Sequence, residues 1–178
     1  PNAMGTAPGM YFKRGQTHTL SMPGVPYEMK SIVNEHLVPF IQSRQDRILL
    51  HETILTIGKG ESRIAEMLED IEDALPRHIK LAYLPNLARV RLRLTGVSEN
   101  RAKLETEIFD WKDRIAERLD KLVYGYNKDT LAGVVQESAI KKGVFIGTAE
   151  SCTGGMIAHK ITSVAGSSQY FKGAIIAY

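Results

Sequence analysis

The sequence predicts a chain of mixed α/β and α+β class: a loop-rich hairpin and helix, a β-α-β-β-α domain, and the start of an α/β domain. Three observations carry that expectation. Gly- and Pro-rich loops precede an amphipathic helix in residues 1–45. Residues 46–125 switch repeatedly between strand-like and helix-like apolar spacing. Residues 126–178 then run helix, apolar strand, small-residue turn, helix and strand.

In chain order, two loops stand out first, Gly5-Thr6-Ala7-Pro8-Gly9 and Met22-Pro23-Gly24-Val25-Pro26. Between them residues 10–13 and 17–21 read as a hairpin turning near Arg14-Gly15. Pro26 suits a first helical position, where its missing N–H is unpaired anyway. Met29, Ile32, Val33, Leu37 and Phe40 continue at helical spacing, so residues 26–42 are expected to form a helix weakened at Pro39.

Residues 48–57 form the first expected strand of the middle domain. Gly58-Lys59-Gly60 leads into a helix with Ile64, Met67, Leu68, Ile71 and Leu75 on one stripe, ended by Pro76. Residues 79–84 and 89–97 are the next strands, and in the second Val90, Leu92 and Leu94 alternate with Arg89, Arg91 and Arg93. From about Asn100 a long helix buries Leu104, Ile108, Trp111, Ile115, Leu119 and Leu122, and Tyr124-Gly125-Tyr126-Asn127 reads as a linker. Leu131, Val134, Val135 and Ala139 mark a helix stopped by Gly143. Residues 144–148 read as a strand, 157–162 as the next helix, and 173–178 as the next strand.

Composition narrows the class. With 43% hydrophobic residues and a net charge of +3, from 23 basic and 20 acidic side chains, the 178 residues suit a globular protein. No segment has the basic excess of a dedicated nucleic-acid binder. The single cysteine, Cys152, excludes an internal disulfide and fits a reducing cytoplasm. No apolar run reaches the ~20 residues that span a bilayer, and no signal peptide is visible. The chain begins at Pro1 and stops at Tyr178 inside an apolar run, so both ends are expected to be cut.

Chemistry concentrates in the turn Glu150-Ser151-Cys152-Thr153-Gly154-Gly155. A strand entering a helix through small residues is expected to leave the helix's first N–H groups free for a ligand or oxyanion. Gly154 and Gly155 permit close backbone approach. Ser151 could act as a nucleophile if a base lies near, and Cys152 is the alternative. An ordinary helix cap by Ser151 or Thr153 remains the other reading. His159 lies about two helical turns beyond Ser151, too far to serve as its base.

Thr148-Ala149-Glu150-Ser151-Cys152-Thr153-Gly154-Gly155, followed by Thr162-Ser163-Val164-Ala165-Gly166-Ser167-Ser168 and residues 173–178, resembles the C-terminal domain of CinA (competence/damage-inducible) proteins. Those domains are nicotinamide mononucleotide deamidases. The resemblance implies Ser151 as nucleophile, Tyr178 as a second catalytic residue, and Glu150, Cys152, Thr153, Gly154 and Gly155 around the substrate. It also places a base, a lysine, a few residues past Tyr178. Without that base these 178 residues alone are expected to be inactive as a deamidase.

The first loops extend the likeness. Gly5-Thr6-Ala7-Pro8-Gly9-Met10 and Pro23-Gly24-Val25-Pro26-Tyr27-Glu28-Met29 resemble the closing part of the CinA N-terminal domain, of molybdopterin-binding type, which in some members is an ADP-ribose pyrophosphatase. Gly5, Thr6, Ala7, Pro8, Gly9, Pro23 and Gly24 then form its nucleotide loops. Residues 46–125 resemble the family's KH-like linker domain. Their Gly58-Lys59-Gly60 sits between strand and helix, unlike the G-x-x-G loop between two helices of nucleic-acid-binding KH modules. The resemblance implies a pyridine nucleotide or ADP-ribose as ligand, a cytoplasmic homodimer, and no cofactor for deamidation. A divalent metal is allowed in the N-terminal domain of the parent. Neither nucleic acid nor membrane is an expected partner. The rival reading is a non-catalytic linker and assembly module with a KH-like domain, in which weak nucleic-acid binding is allowed.

Overall fold

The computed structural model describes residues 1–44, 46–86 and 88–177. They divide into two compact units, Pro1–Ile48 and Leu49–Tyr178.

In the first unit, β1 (Met10–Arg14) and β2 (Thr17–Ser21) pair antiparallel across a two-residue turn in which Gly15 has φ +58°. That left-handed value favours glycine. Helix α1 (Pro26–Ile32) starts on Pro26 as expected. The single helix expected over 26–42 is instead interrupted by a π-helical stretch, Val33–Leu37, before α2 (Val38–Gln42). The Val38 N–H donates to the Val33 carbonyl, five residues back. Pro39 is the physical reason: it has no N–H to give the regular ladder, and the preceding turn widens to absorb the mismatch.

The second unit begins with a four-stranded sheet in the order β4-β5-β3-β6. Its strands are β3 (Ile48–Ile57), β4 (Ile79–Asn86), β5 (Arg89–Ser98) and β6 (Val123–Tyr126). Helices α3 (Glu61–Asp73) and α4 (Arg101–Leu119) supply the buried residues Ile64, Leu68, Ile71, Leu104, Ile108, Ile115 and Leu119. These join Ile54, Ile79, Val90, Leu92 and Leu94 of the sheet in the core. Each fully buried aliphatic side chain of this kind contributes about 1.5–3 kcal/mol. Asn100 caps α4, its Oδ1 accepting the Lys103 N–H at 3.0 Å. Close approach of α4 to the sheet depends on Gly96, where a Cβ would lie 2.6 Å from Leu104 Cδ1 and 2.7 Å from Ile108 Cδ1.

The stretch expected to be a linker is β6. It pairs antiparallel with β3, Ile54 opposite Tyr126 and Leu55 opposite Gly125. Four residues containing a glycine carry too little periodicity to announce a strand, and the pairing that makes it one is remote in sequence. Asn127, at φ +50°, then locks the junction. Its N–H donates to the Thr53 carbonyl and its Oδ1 accepts the Thr53 N–H, both at 2.9 Å, while its Nδ2 donates to Glu52 Oε2 at 2.9 Å.

Helix α5 (Leu131–Lys142) is capped by Thr130, whose hydroxyl accepts the Gly133 N–H at 3.1 Å. It ends on Gly143 at φ +63°, and the Val144 N–H returns to the Ala139 carbonyl at 3.0 Å. This wrap-around cap uses Val144, so strand β7 runs Ile146–Glu150 rather than over 144–148. After α6 (Met156–Thr162), β8 (Phe171–Ile176) pairs parallel with β7, Ala149 opposite Ile175 and Glu150 opposite Ile176. Ala139, Ile161 and Tyr170 form the buried centre of this part, with Val135, Ile146 and Phe171 against it.

Gly96→Ala should overpack the contact between β5 and α4 and destabilise the second unit by roughly 1–3 kcal/mol. The expected readout is a lower urea midpoint with an unchanged slope.

Candidate functional site

The turn between β7 and α6 is built around one carboxylate. Glu150, the last residue of β7, is buried, 4% exposed, while Ser151, Cys152, Thr153 and Gly154 are exposed. Its Oε2 accepts the Ile157 N–H at 3.0 Å and its Oε1 the Ala158 N–H at 2.8 Å. The Thr148 hydroxyl donates to Oε1 at 3.2 Å. Burial opposes ionisation of this carboxyl. The Ala158 and Ile157 N–H groups, with the Thr153 and Thr148 hydroxyls, outweigh it and hold the carboxyl below its ordinary value.

This arrangement corrects the expectation that the helix's first N–H groups are free. Met156 N–H donates to the Thr153 carbonyl and His159 N–H to the Gly155 carbonyl, both at 2.9 Å, and Glu150 takes the two between them. The cap is therefore Glu150, reaching from the strand, rather than Ser151 or Thr153. The carboxylate expected beside the substrate has both oxygens committed to the turn.

The turn itself folds tightly. Gly154 N–H donates to the Ser151 carbonyl at 2.9 Å, and the next two φ values are positive, +57° at Gly154 and +91° at Gly155. A Cβ at Gly155 would also meet Ile176 Cδ1 at 2.8 Å. The Ala177 N–H donates to the Glu150 carbonyl at 2.9 Å, continuing the β7–β8 ladder to the edge of the turn. Ser151 and Cys152 thus project from a rigid bend at the carboxyl end of a parallel strand. Among the described residues the Ser151 hydroxyl has no hydrogen-bond partner and the Cys152 N–H has no acceptor. Tyr178, the second expected catalytic residue, lies outside the described residues.

The Gly5–Gly9 loop of the first unit, expected to be a nucleotide loop, is organised by another buried carboxylate, Glu28 of α1. Asn2 Nδ2 donates to Glu28 Oε2 at 2.7 Å and to the Ala7 carbonyl at 2.8 Å. The backbone of Gly5 lies so close to Glu28 that a Cβ there would collide with the carboxylate. Gly9 packs on Ile32, and Gly5, Thr6, Ala7, Pro8 and Gly24 are exposed while Pro23 is half-buried. The divalent metal allowed for this domain finds no ligand set in these residues: Glu28 is engaged by Asn2, and Glu35 accepts the Ser31 hydroxyl at 2.6 Å. Among the described residues, no three His, Cys, Asp or Glu side chains group as a metal site. No helix among them is long and apolar enough to cross a membrane.

A cleft of about 800 Å³ within the second unit, which no sequence motif announces, is lined by Arg89, Arg91, Tyr124 and Lys160 among others. The alternating arginines of β5 were visible in sequence. That Lys160 of α6 lines the same cleft follows from the fold and is not visible in spacing.

A four-stranded sheet with two helices, followed by a strand, a Ser/Thr/Gly bend and a helix, defines a mixed α/β protein. Comparison with known proteins gives the family. Residues 51–125 match the model of the damage-inducible protein CinA KH domain, and residues 128–178 match that of the CinA C-terminal domain. The CinA-like protein of Flavobacterium psychrophilum is 48% identical over 99% of this chain, and that of Cytophaga hutchinsonii is 44% identical over 99%. The CinA-like protein of Chlorobium chlorochromatii is 36% identical over 99%. The chain belongs to the CinA-like family. It spans 43% of the length of each of these three relatives.

The lowered carboxyl of Glu150 fixes the sign of a pH effect. A group whose folded value is depressed stabilises the fold above its unfolded value and loses that contribution as pH falls through the folded one. The contribution is therefore complete above about pH 4.5, the ordinary value for glutamate, and is lost progressively below it. Glu150→Gln should melt lower at neutral pH and lose less on acidification than the parent. Circular-dichroism melts between pH 7 and pH 3 test this, and identical acid profiles would contradict it.

Proposed function

We infer that this protein hydrolyses the carboxamide of a pyridine mononucleotide, with Ser151 as nucleophile. The observation that carries the reading is the exposed Ser151 hydroxyl on a bend held from below by Glu150. The A-E-S-C-T-G-G resemblance supplies the substrate class. Ser151 Oγ attacks the carboxamide carbon and gives up its proton to a base. Ammonia leaves with a proton, and water then cleaves the acyl ester to carboxylate and free serine. In this reading the base is the lysine that the family places a few residues past Tyr178.

The oxyanion needs donors, and the helix N–H groups are committed to Glu150. The N–H of Cys152 is the better candidate. In other strand–turn–helix hydrolases, the residue after the nucleophile supplies such a donor. Thr153, Gly154 and Gly155 would then shape the substrate's approach, Glu150 would position them, and no cofactor is required. The loops Gly5–Gly9 and Pro23–Gly24, largely exposed, suit a phosphate-bearing ligand such as ADP-ribose in the first domain. A cytoplasmic homodimer is the assembly this reading takes, as the resemblance implies.

In the full-length protein, Ser151→Ala should lower ammonia release from nicotinamide mononucleotide by on the order of a thousandfold or more. Cys152→Ala should retain most activity. The reverse pattern would move the nucleophile to Cys152, and retained activity in both would remove this turn from the chemistry.

A further inference from the structure

The cleft of about 800 Å³ in the second unit lies within the usual size range of small-molecule sites. Two kinds of surface line it. Leu55 and Ile157 are apolar, and Tyr124 adds a half-buried ring. Arg89 and Arg91 come from β5 and Lys160 from α6, so cations from elements far apart in sequence face one space. Among the described residues none of the three takes part in an ion pair. The acidic side chain beside them, Asp129, already accepts the Tyr126 N–H through Oδ2 at 2.7 Å.

Three unpaired cations against one engaged carboxylate select a ligand with more than one negative charge. Apolar lining and an aromatic ring select a flat, weakly polar group on the same molecule. We propose that this cleft binds a nucleoside phosphate, its phosphates on Arg89, Arg91 and Lys160 and its base against Tyr124 and the apolar lining. Among the described residues none from Glu150 to Gly155 lines the cleft, which borders the Ser151 turn through Thr148 and Ile157, both hydrogen-bonded to Glu150. A single strand of nucleic acid is the competing occupant. Arg93, the next cation along β5, does not line the cleft, whereas Lys160 of α6 does. Charge is gathered around a pocket here rather than strung along a track.

Isothermal titration of the full-length protein with ADP and with adenosine tests the proposal. ADP should bind and adenosine should bind far more weakly. Lys160→Gln, and separately the double substitution Arg89→Gln with Arg91→Gln, should each weaken ADP binding about tenfold or more. Arg93→Gln and Ser151→Ala should leave it unchanged, the second whether or not it abolishes ammonia release. Absence of ADP binding, or ADP binding that survives both cleft variants, overturns the proposal. Equal losses on Arg93→Gln, with a single-stranded oligonucleotide following the same pattern, overturn it in favour of a strand-binding face.

Discussion

A buried carboxylate at the end of β7 sets the geometry of the whole candidate site. Glu150 accepts two consecutive N–H groups of α6, at 3.0 and 2.8 Å, and so fixes the helix to the strand across a bend of four exposed residues. Without it those N–H groups would turn to water and the helix, only seven residues long, would have little else to define its start. Gly154 and Gly155 let the chain turn sharply enough for the carboxylate to reach, and Ile176 closes the space behind Gly155. Ser151 is displayed because its neighbour is buried.

The same economy appears in the first unit, where Glu28 holds the Gly5–Gly9 loop through Asn2. In both places an acidic residue is a loop anchor, and Glu150 is one that the resemblance had placed beside the substrate. The distinction matters for chemistry. A carboxylate saturated by backbone donors is a poor base and a poor ligand, so any proton acceptor for Ser151 comes from another group.

Much of the architecture was legible from periodicity. The alternation of Val90, Leu92 and Leu94 with arginines, and most of the helical stripes of α3 and α4, place residues that are buried in the structure, while Met67, Leu75, Trp111 and Leu122 are half-buried. The features that escaped are non-local. Strand β6 exists only through its pairing with β3, and Asn127 acts through bonds to Thr53 and Glu52 some 75 positions away. The π-helical stretch before Pro39 was half legible, since the proline announced a fault without saying how the helix would accommodate it. In the candidate site the string of residues was plain. The capture of the helix N–H groups by Glu150 was not, because nothing in spacing reveals which way a side chain turns.

The central claim is that the Glu150-anchored bend presents Ser151, rather than Cys152, to a nucleotide carboxamide. Peptide mass spectrometry of the full-length protein, acid-quenched during turnover of nicotinamide mononucleotide, tests it most directly. The account predicts an acyl adduct on the oxygen of Ser151. An adduct on the sulfur of Cys152 would contradict it.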